Sequence, residues 1–171
     1  NLYVDPKKID LDNFNLNFNG AFDLPFEGDV FNGYLHCADS EVLCVFLSPA
    51  GRESIKNRGE VVFVFTAFIG AMNARMLYIE DPMYKKHLSL DCAWFYGDEY
   101  SSHIEQVVEI VESIARKNKI KKENIVFVGV SAGGYAAIAC ADRFKGTKAY
   151  AFNPQIKLSE WGYSKKFTQI T

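Results

Sequence analysis

The sequence predicts an α/β domain in which a mostly parallel sheet is covered by helices on both faces. Short β-favouring runs end at Pro, Gly or Asn, and helical patterns separate them, as in right-handed βαβ units. The clearest helix is "SSHIEQVVEIVESIARK", where Ser102 and Glu105 form a capping box ahead of apolar residues at helical spacing. These observations together favour an open α/β sheet.

The strands follow from apolar runs bounded by turn residues. The run at 61–72 fits either a strand or a buried helix, and periodicity leaves both open. A helix is expected from Gly133 to Phe144 because this stretch is rich in alanine. Strands are predicted at 14–18, at 30–38 (as a strand or as a hairpin around Asn32 and Gly33), at 42–47, within "ARMLYIEDP", at 125–130 and at 148–152.

Length and composition indicate one globular domain over residues 1–171, with N-terminal strands at 1–40 and the core at 41–156. A formal net charge of −2 gives no footprint for nucleic acid, and no apolar run is long enough for a membrane span. The cysteines show no metal-ligand spacing, so we expect reduced core thiols in a cytoplasmic protein. The chain begins at Asn1 without an initiator Met, which suggests a fragment or a processed product.

One short stretch carries a catalytic pattern. In "NIVFVGVSAGGYAAIACA" a strand runs into a helix through Gly-Val-Ser-Ala-Gly, with Ser131 at the turn. Such a turn exposes the serine hydroxyl at the carboxyl edge of the sheet, and the N–H of Ala132 faces the site of a developing oxyanion. The alternative is a glycine turn in a flavodoxin-like or Rossmann-like domain, in which Ser131 only caps a helix.

The segment "VFVGVSAGGYAAI" resembles the nucleophile elbow of the α/β-hydrolase superfamily. More narrowly, the order "LYIEDP", "WFYGD", "GVSAGGYAA", "AFNPQ" is similar to bacterial hydrolase-like proteins tied to surface glycans. These are the capsular polysaccharide proteins of the XcbB/CpsF type and the hydrolase-like accessory secretory protein of the accessory Sec system. The resemblance covers residues 42–156 and implies an α/β-hydrolase-like core that lacks its last strands, truncated at the C-terminus.

Carried over by position, the resemblance makes Ser131 the catalytic nucleophile and the Ala132 N–H one oxyanion donor. A second donor should follow the strand at 42–47, where "SPAGRES" places Ala50, Gly51 or Arg52 near the serine. No metal or organic cofactor is implied. The small residues that permit the tight elbow are Gly129, Gly133 and Gly134.

Polar residues at the same edge of the sheet are candidates for contact with a substrate. Arg52 could bind an anionic or sugar-phosphate group, although a solvated loop arginine fits equally well. Asp81 ends a strand, where ligand-contacting residues concentrate, but a turn residue bonded to local backbone is the preferred interpretation. Asn153 and Gln155 follow the last predicted strand and could hold a polar substrate. The aromatic residues at 94–96 and Tyr100 fit either a sugar-binding cleft or core packing.

The general base is the missing part of the pattern. The superfamily places the acid and then the histidine after the serine, but no histidine follows Ser131. Asp142 lies along the same helix, roughly 16 Å away at the usual rise, too far to be the acid. Three interpretations stay open: the acid and base lie beyond Thr171, His103 or His87 serves as the base, or the domain is not catalytic.

The sequence therefore predicts a serine-nucleophile esterase or carbohydrate O-acyltransferase that acts on a small-molecule or glycan ester through an acyl-enzyme. The alternative is a non-catalytic hydrolase-like scaffold or binding partner in bacterial glycan or capsule biosynthesis or export. In either case a protein partner in a glycan assembly complex is expected, and this link comes from the resemblance.

Overall fold

The architecture comes from a computed structural model that describes residues 6–50, 68–87, 89–162 and 164–168. Its helices are α1 (Met83–Lys86), α2 (His103–Lys117), α3 (Ala132–Arg143) and α4 (Ser164–Phe167). Short 3₁₀ turns lie at Leu11–Asn13, Lys122–Asn124 and Leu158–Glu160. The strands are β1 (Lys7–Lys8), β2 (Gly20–Phe26), β3 (Asp29–His36), β4 (Leu43–Leu47), β5 (Arg75–Ile79), β6 (Ile125–Val130) and β7 (Lys148–Phe152).

The strands of the described part form one sheet in the order β1-β2-β3-β5-β4-β6-β7. β5, β4, β6 and β7 run parallel to one another, whereas β3 is antiparallel to both β2 and β5. The predicted mostly parallel α/β sheet is therefore confirmed, with an antiparallel N-terminal section. The register pairs Leu47 of β4 with Gly129 of β6, which brings the carboxyl ends of these strands to one edge.

Of the two alternatives at 30–38 the strand is confirmed, because β3 runs straight through Asn32 and Gly33, and the hairpin alternative is wrong. The turn lies at Glu27 and Gly28, whose φ values of 46° and 86° are both positive, as a two-residue hairpin turn requires. Gly33 is needed for a different reason. A Cβ at this position would lie 2.5 Å from the carbonyl oxygen of Tyr78 on the neighbouring strand.

The strand predicted at 14–18 is also wrong, although the alternation that suggested it is real. Phe14 and Leu16 are buried while Asn15 and Asn17 are exposed, yet the segment lies in no strand. The amide of Leu16 instead donates to the Asn118 side chain at the end of α2, at 3.2 Å. The segment is buried by packing without strand pairing, and the ring of Phe14 lies 5.0 Å from that of Phe22 on β2.

The two long helices form as their sequences predict. Ser102 caps α2 by accepting from the Glu105 amide at 3.5 Å, and the apolar stripe of α2 is buried. α3 packs against α2 and against β4, β6 and β7. The predicted strands at 42–47, 125–130 and 148–152 and the predicted helix after Ser131 agree with β4, β6, β7 and α3 within one residue.

Coverage of the sheet is uneven. β4 is buried on both faces, whereas β6 is buried on one face and half-buried on the other, and Phe46 of β4 stacks on Tyr78 with ring centroids 4.7 Å apart. β7 is exposed over most of its length, with Tyr150 and Phe152 at 64% and 52% exposure. β7 is the edge strand of the sheet among the described residues and packs against α3. The apolar run at 61–72 lies outside the described residues up to position 67.

The expected reduced cysteines agree with the structure, where Cys37, Cys44, Cys92 and Cys140 are all free thiols. All but Cys37 are buried. Within the parts of the chain that the structure describes, no helix has the length and apolar character needed to cross a bilayer. The cytoplasmic location stays a prediction.

Candidate functional site

The serine turn joins β6 to α3 in a strained conformation. Ser131 has φ 56° and ψ −118°, a region that side-chain-bearing residues rarely occupy, and α3 begins at the next residue. Its amide donates to the Phe152 carbonyl at 3.0 Å, and its own carbonyl accepts from the Tyr135 amide at 3.2 Å. These bonds tie the turn to β7 on one side and to the first turn of α3 on the other. The geometry is that of a nucleophile elbow.

Three glycines let the elbow close. A Cβ on Gly129 would lie 2.1 Å from the Gly133 carbonyl oxygen, and a Cβ on Gly133 would lie 2.3 Å from the Leu47 carbonyl oxygen. Gly134 is less constrained, since its Cβ would lie 3.2 Å from Pro154 Cα. The first two positions therefore exclude any side chain, as the pentad pattern predicts.

The strand β4 ends beside the elbow, so the loop that follows it starts near Ala132. Ala132 is 1% exposed, and Ala50 packs against the small apolar cluster that contains it. This placement is compatible with the expected oxyanion loop. Gly51 and Arg52 lie outside the described residues, and their roles stay predictions.

Asp81 lies at the carboxyl end of β5 but is only 1% exposed. Its carboxylate accepts from the Phe95 amide at 2.6 Å and from the Met83 amide at 3.1 Å. The bond from Met83 is the local backbone contact that the preferred turn interpretation predicts. The bond from Phe95 comes from a more distant segment. Because the side chain is fully enclosed by protein, Asp81 is poorly placed for the substrate contact considered from the sequence.

His103 is fully buried at the start of α2, where its two ring nitrogens face two carboxylates. Nδ1 lies 3.2 Å from Asp81 Oδ1, and Nε2 lies 3.4 Å from Asp29 Oδ2. In the described part of the chain no hydrogen bond joins His103 to Ser131. Its ring is thus committed to a buried ionic cluster, which disfavours the expected role as base. His87 is half-buried just after α1 and has no side-chain bond to Ser131 among the described contacts.

The buried cluster extends beyond the residues that sequence reasoning selected. Lys86 Nζ lies 2.5 Å from Asp29 Oδ1 and 3.2 Å from Asp98 Oδ2, and Gln106 Nε2 donates to Asp29 at 3.3 Å. Asp29 is the first residue of β3, directly after the hairpin turn. No local pattern marks it, because its partners come from segments far away in the sequence.

Glu80 also ends β5, next to Asp81, and is 9% exposed. Its pKa is raised from its ordinary value of 4.5 to about 7, chiefly by burial; Lys85 opposes this rise and the neighbouring Asp81 carboxylate adds to it. Its carboxyl group therefore titrates near neutral pH. The sequence predicted that a strand ends here, but it did not predict that the Glu80 carboxyl group titrates near neutral pH.

Asn153 and Gln155 follow β7 but differ in exposure. Asn153 is exposed and has a positive φ of 44°, which asparagine tolerates. Gln155 is 4% exposed, and its Oε1 accepts from the Trp94 indole N–H at 2.6 Å. Gln155 is therefore engaged within the protein, and the substrate contact expected from the sequence is unsupported there.

The aromatic segment divides into two parts. Trp94 and Phe95 are buried at 1% exposure, as the core interpretation predicted. Tyr96 and Tyr100 are exposed and line an open cleft of about 360 Å³ together with Tyr135, the fourth residue of α3. Within the described residues no group of three His, Cys, Asp or Glu side chains is arranged to hold a metal ion.

Comparison with known proteins relates this geometry to solved structures. No protein-family model matches the sequence, and no curated protein sequence matches it significantly. The capsule O-acetyltransferase of Neisseria meningitidis serogroup A is similar with a TM-score of 0.65 and 14% identity, over 85% of this chain and 60% of that chain. A Glycosylation Associate Protein (Gap123) complex from Streptococcus agalactiae is similar with a TM-score of 0.61 and 18% identity, over 81% of this chain and 25% of that chain.

An S-formylglutathione hydrolase from Agrobacterium tumefaciens is similar with a TM-score of 0.59 and 16% identity, over 85% of this chain and 61% of that one. The chain thus spans less than two thirds of the length of these structures. An α/β serine hydrolase homologue from Coxiella burnetii adds a fourth match at a TM-score of 0.55. With its parallel sheet and its strand–serine–helix elbow, this chain has the α/β-hydrolase fold.

Proposed function

We propose that this chain carries the nucleophile of a serine-dependent esterase or acyltransferase, and that Ser131 is that nucleophile. The observation that carries the proposal is the strained backbone of Ser131 at φ 56°, held between β6 and α3. A residue that only caps a helix has no need of this conformation, since ordinary caps use the extended region. Strain of this kind persists where a function requires it.

In the proposed reaction, Ser131 Oγ forms a bond to the acyl carbon of an ester while its proton passes to a general base. The N–H of Ala132 and an N–H from the loop at 50–52 hold the oxyanion that forms. The base then returns the proton to the departing alcohol oxygen as the ester C–O bond breaks. Water or a sugar hydroxyl next attacks the acyl-enzyme and restores Ser131.

The general base is not His103, in this proposal, because its ring is enclosed by Asp29 and Asp81. Within the printed sequence His87 is left as a candidate, since it is half-buried and hydrogen bonds in a free site can lengthen. The other candidate is a histidine beyond Thr171. The solved structures of this fold are longer than this chain, which leaves room for such a residue.

The proposed substrate is a glycan ester or a sugar hydroxyl that accepts an acyl group. Support comes from the similarity to a capsule O-acetyltransferase and to a glycosylation-associated complex. The exposed Tyr96 and Tyr100 beside the elbow helix add a surface on which a sugar ring could stack.

The decisive experiment is labelling of the full-length, folded protein with a fluorophosphonate, followed by intact-mass measurement. We expect a single adduct on the native sequence and none on Ser131→Ala. Ser159 in the exposed 3₁₀ turn offers a matched control, and Ser159→Ala should label as the native chain does. Equal labelling of the native chain and Ser131→Ala would reject the proposal.

A second candidate is a hydrolase-like binding partner in glycan assembly or export. The exposed apolar side chains of Tyr150, Phe152, Ile156 and Trp161 favour it, because such surface commonly contacts protein. The similarity to a glycosylation-associated complex supports the same idea. Complete absence of labelling, together with an unaltered biological role of Ser131→Ala, would favour this candidate over the enzyme.

A further inference from the structure

Ser131 is connected to a buried side-chain pair that the proposed reaction does not yet use. Gln155 and Trp94 are 4% and 1% exposed, and the indole N–H of Trp94 donates to Gln155 Oε1 at 2.6 Å. The thiol of Cys92 approaches the same oxygen at 3.6 Å. A buried amide that accepts a short hydrogen bond is held in one position, since breaking the bond would leave a buried donor unsatisfied.

The backbone that carries Trp94 is strained. Trp94 and Phe95 have φ values of 56° and 57°, so two successive residues with large side chains adopt the left-handed region. Two contacts hold them there. The Phe95 amide donates to Asp81 Oδ2 at 2.6 Å, and the Trp94 ring donates to Gln155. The pair thus connects the segment after β5 to the segment after β7.

Gln155 continues this connection into the elbow itself. Its backbone amide donates to the Ser131 carbonyl oxygen at 3.2 Å. That carbonyl and the N–H of Ala132 belong to one planar peptide group, so fixing the oxygen also fixes the direction of the N–H. A hydrogen bond to the oxygen further polarises the same N–H as a donor. Trp94 and Ala132 moreover pack in one apolar cluster.

We infer that Gln155 and Trp94 are positioning residues that orient the Ser131–Ala132 peptide group so that its N–H points at the oxyanion. This inference rests on the proposed function. The positioning role replaces the substrate contact expected for Gln155. Its side chain is enclosed by Trp94 and Cys92, so it influences the reaction through the Ser131–Ala132 peptide group and does not touch the substrate. The predicted effect falls on the rate of bond formation, since the negative charge on that oxygen develops as the bond to Ser131 forms and is absent from the bound ground state.

The test separates the rate constant of fluorophosphonate labelling from the affinity for the probe. Gln155→Met keeps the length of the side chain and removes the acceptor, whereas Trp94→Phe keeps an aromatic ring and removes the donor. We expect each to lower the maximal labelling rate by about tenfold with little change in probe affinity. If the two residues act as one unit, the double variant loses no more than the worse single variant.

A matched control comes from the other buried glutamine. Gln106 is 3% exposed on α2 and bonds Asp29, so Gln106→Met makes the same chemical change away from the elbow. It should lower the melting temperature without changing the maximal labelling rate. All variants are compared well below their melting temperatures, and Trp94→Phe keeps the test valid should Gln155→Met fail to fold.

Two outcomes overturn the inference in different ways. Native labelling that depends on Ser131 but is equally fast in folded Gln155→Met and Trp94→Phe rejects the positioning role alone. Labelling of the full-length, folded protein that does not depend on Ser131, or is absent, rejects the proposed function and the positioning role with it.

Discussion

Gly133 approaches Leu47 so closely that a Cβ on the glycine would lie 2.3 Å from the leucine carbonyl oxygen. This contact sets the elbow helix directly on the end of β4, next to the loop expected to supply the second oxyanion donor. The obstructing atom belongs to the backbone of a central strand, which cannot turn aside as a side chain could. The small residue is therefore a steric requirement of the site.

The first prediction concerns this contact. Gly133→Ala should lower the free energy of unfolding by about 2 kcal/mol or more, because overpacking against rigid backbone outweighs the better helix propensity of alanine. Gly134→Ala is the matched control, since its Cβ would meet Pro154 Cα at 3.2 Å. There the two effects nearly balance, and we expect a change within about 1 kcal/mol. Urea unfolding measures both, and a similar loss in both variants would contradict this account.

The second prediction concerns the buried histidine. His103→Ala removes the ring between Asp29 and Asp81 and should cost about 3 kcal/mol, because it opens a buried cavity and takes one polar partner from each carboxylate. Labelling of Ser131 should persist in the variant while it is folded. His87→Gln, at a half-buried position, should cost less than about 1 kcal/mol. Loss of labelling in folded His103→Ala would restore that residue as the base.

Local sequence patterns were sufficient for the central part of the fold. The capping box at Ser102 and the Gly-Val-Ser-Ala-Gly turn depend on residues a few positions apart, and both α2 and the elbow form as predicted. The alternation at 14–18 did not produce a strand, because the segment is buried by tertiary packing against Phe22 of β2 and the Leu16 amide bonds to Asn118 instead of a neighbouring strand.

The polar network of the site was hidden for the same reason. Asp29, Asp81 and His103 meet only after three separate segments have folded together, and the Trp94–Gln155 bond joins residues on either side of α2 and α3. Sequence reasoning placed Asp81 and Gln155 at the correct edge of the sheet. It could not determine that their side chains point into the protein, since period and spacing do not report the orientation of loop residues.

The third prediction concerns the dependence of stability on pH. The pKa of Glu80 is about 7 in the folded chain against an ordinary value of 4.5 for a glutamate side chain. Because the folded state holds this proton more tightly, the unfolded chain binds fewer protons between these values, and stability falls as pH rises through this window. Glu80→Gln should remove this loss and raise the free energy of unfolding at pH 8 by on the order of 2 kcal/mol.

Urea titrations at pH 4.5, 6 and 8 measure the effect. The native chain should lose stability across this series relative to Glu80→Gln, and the two should converge at the acidic end. Glu109, an exposed carboxylate on α2, supplies the control, and Glu109→Gln should run parallel to the native chain. A constant difference between the native chain and Glu80→Gln at every pH would show that the buried carboxyl group does not titrate in this range.

The last prediction separates the strain at Ser131 from its chemistry. At φ 56° and ψ −118° a side chain is unfavourable, and such strain costs about 1–3 kcal/mol. Ser131→Gly relieves it, offset by the larger backbone entropy that glycine brings to the unfolded chain, about 0.5–1 kcal/mol. A net gain of about 1 kcal/mol is therefore expected. Ser131→Ala keeps a Cβ and should stay within about 0.5 kcal/mol of the native chain.

Melting temperatures of the native chain and the two variants measure this difference, and both variants should lose labelling. A higher melting temperature for the glycine variant alone would show that holding the serine hydroxyl in place lowers the stability of the native chain. Equal melting temperatures would show instead that the turn accommodates a side chain without strain, and the main observation behind the nucleophile assignment would then be lost.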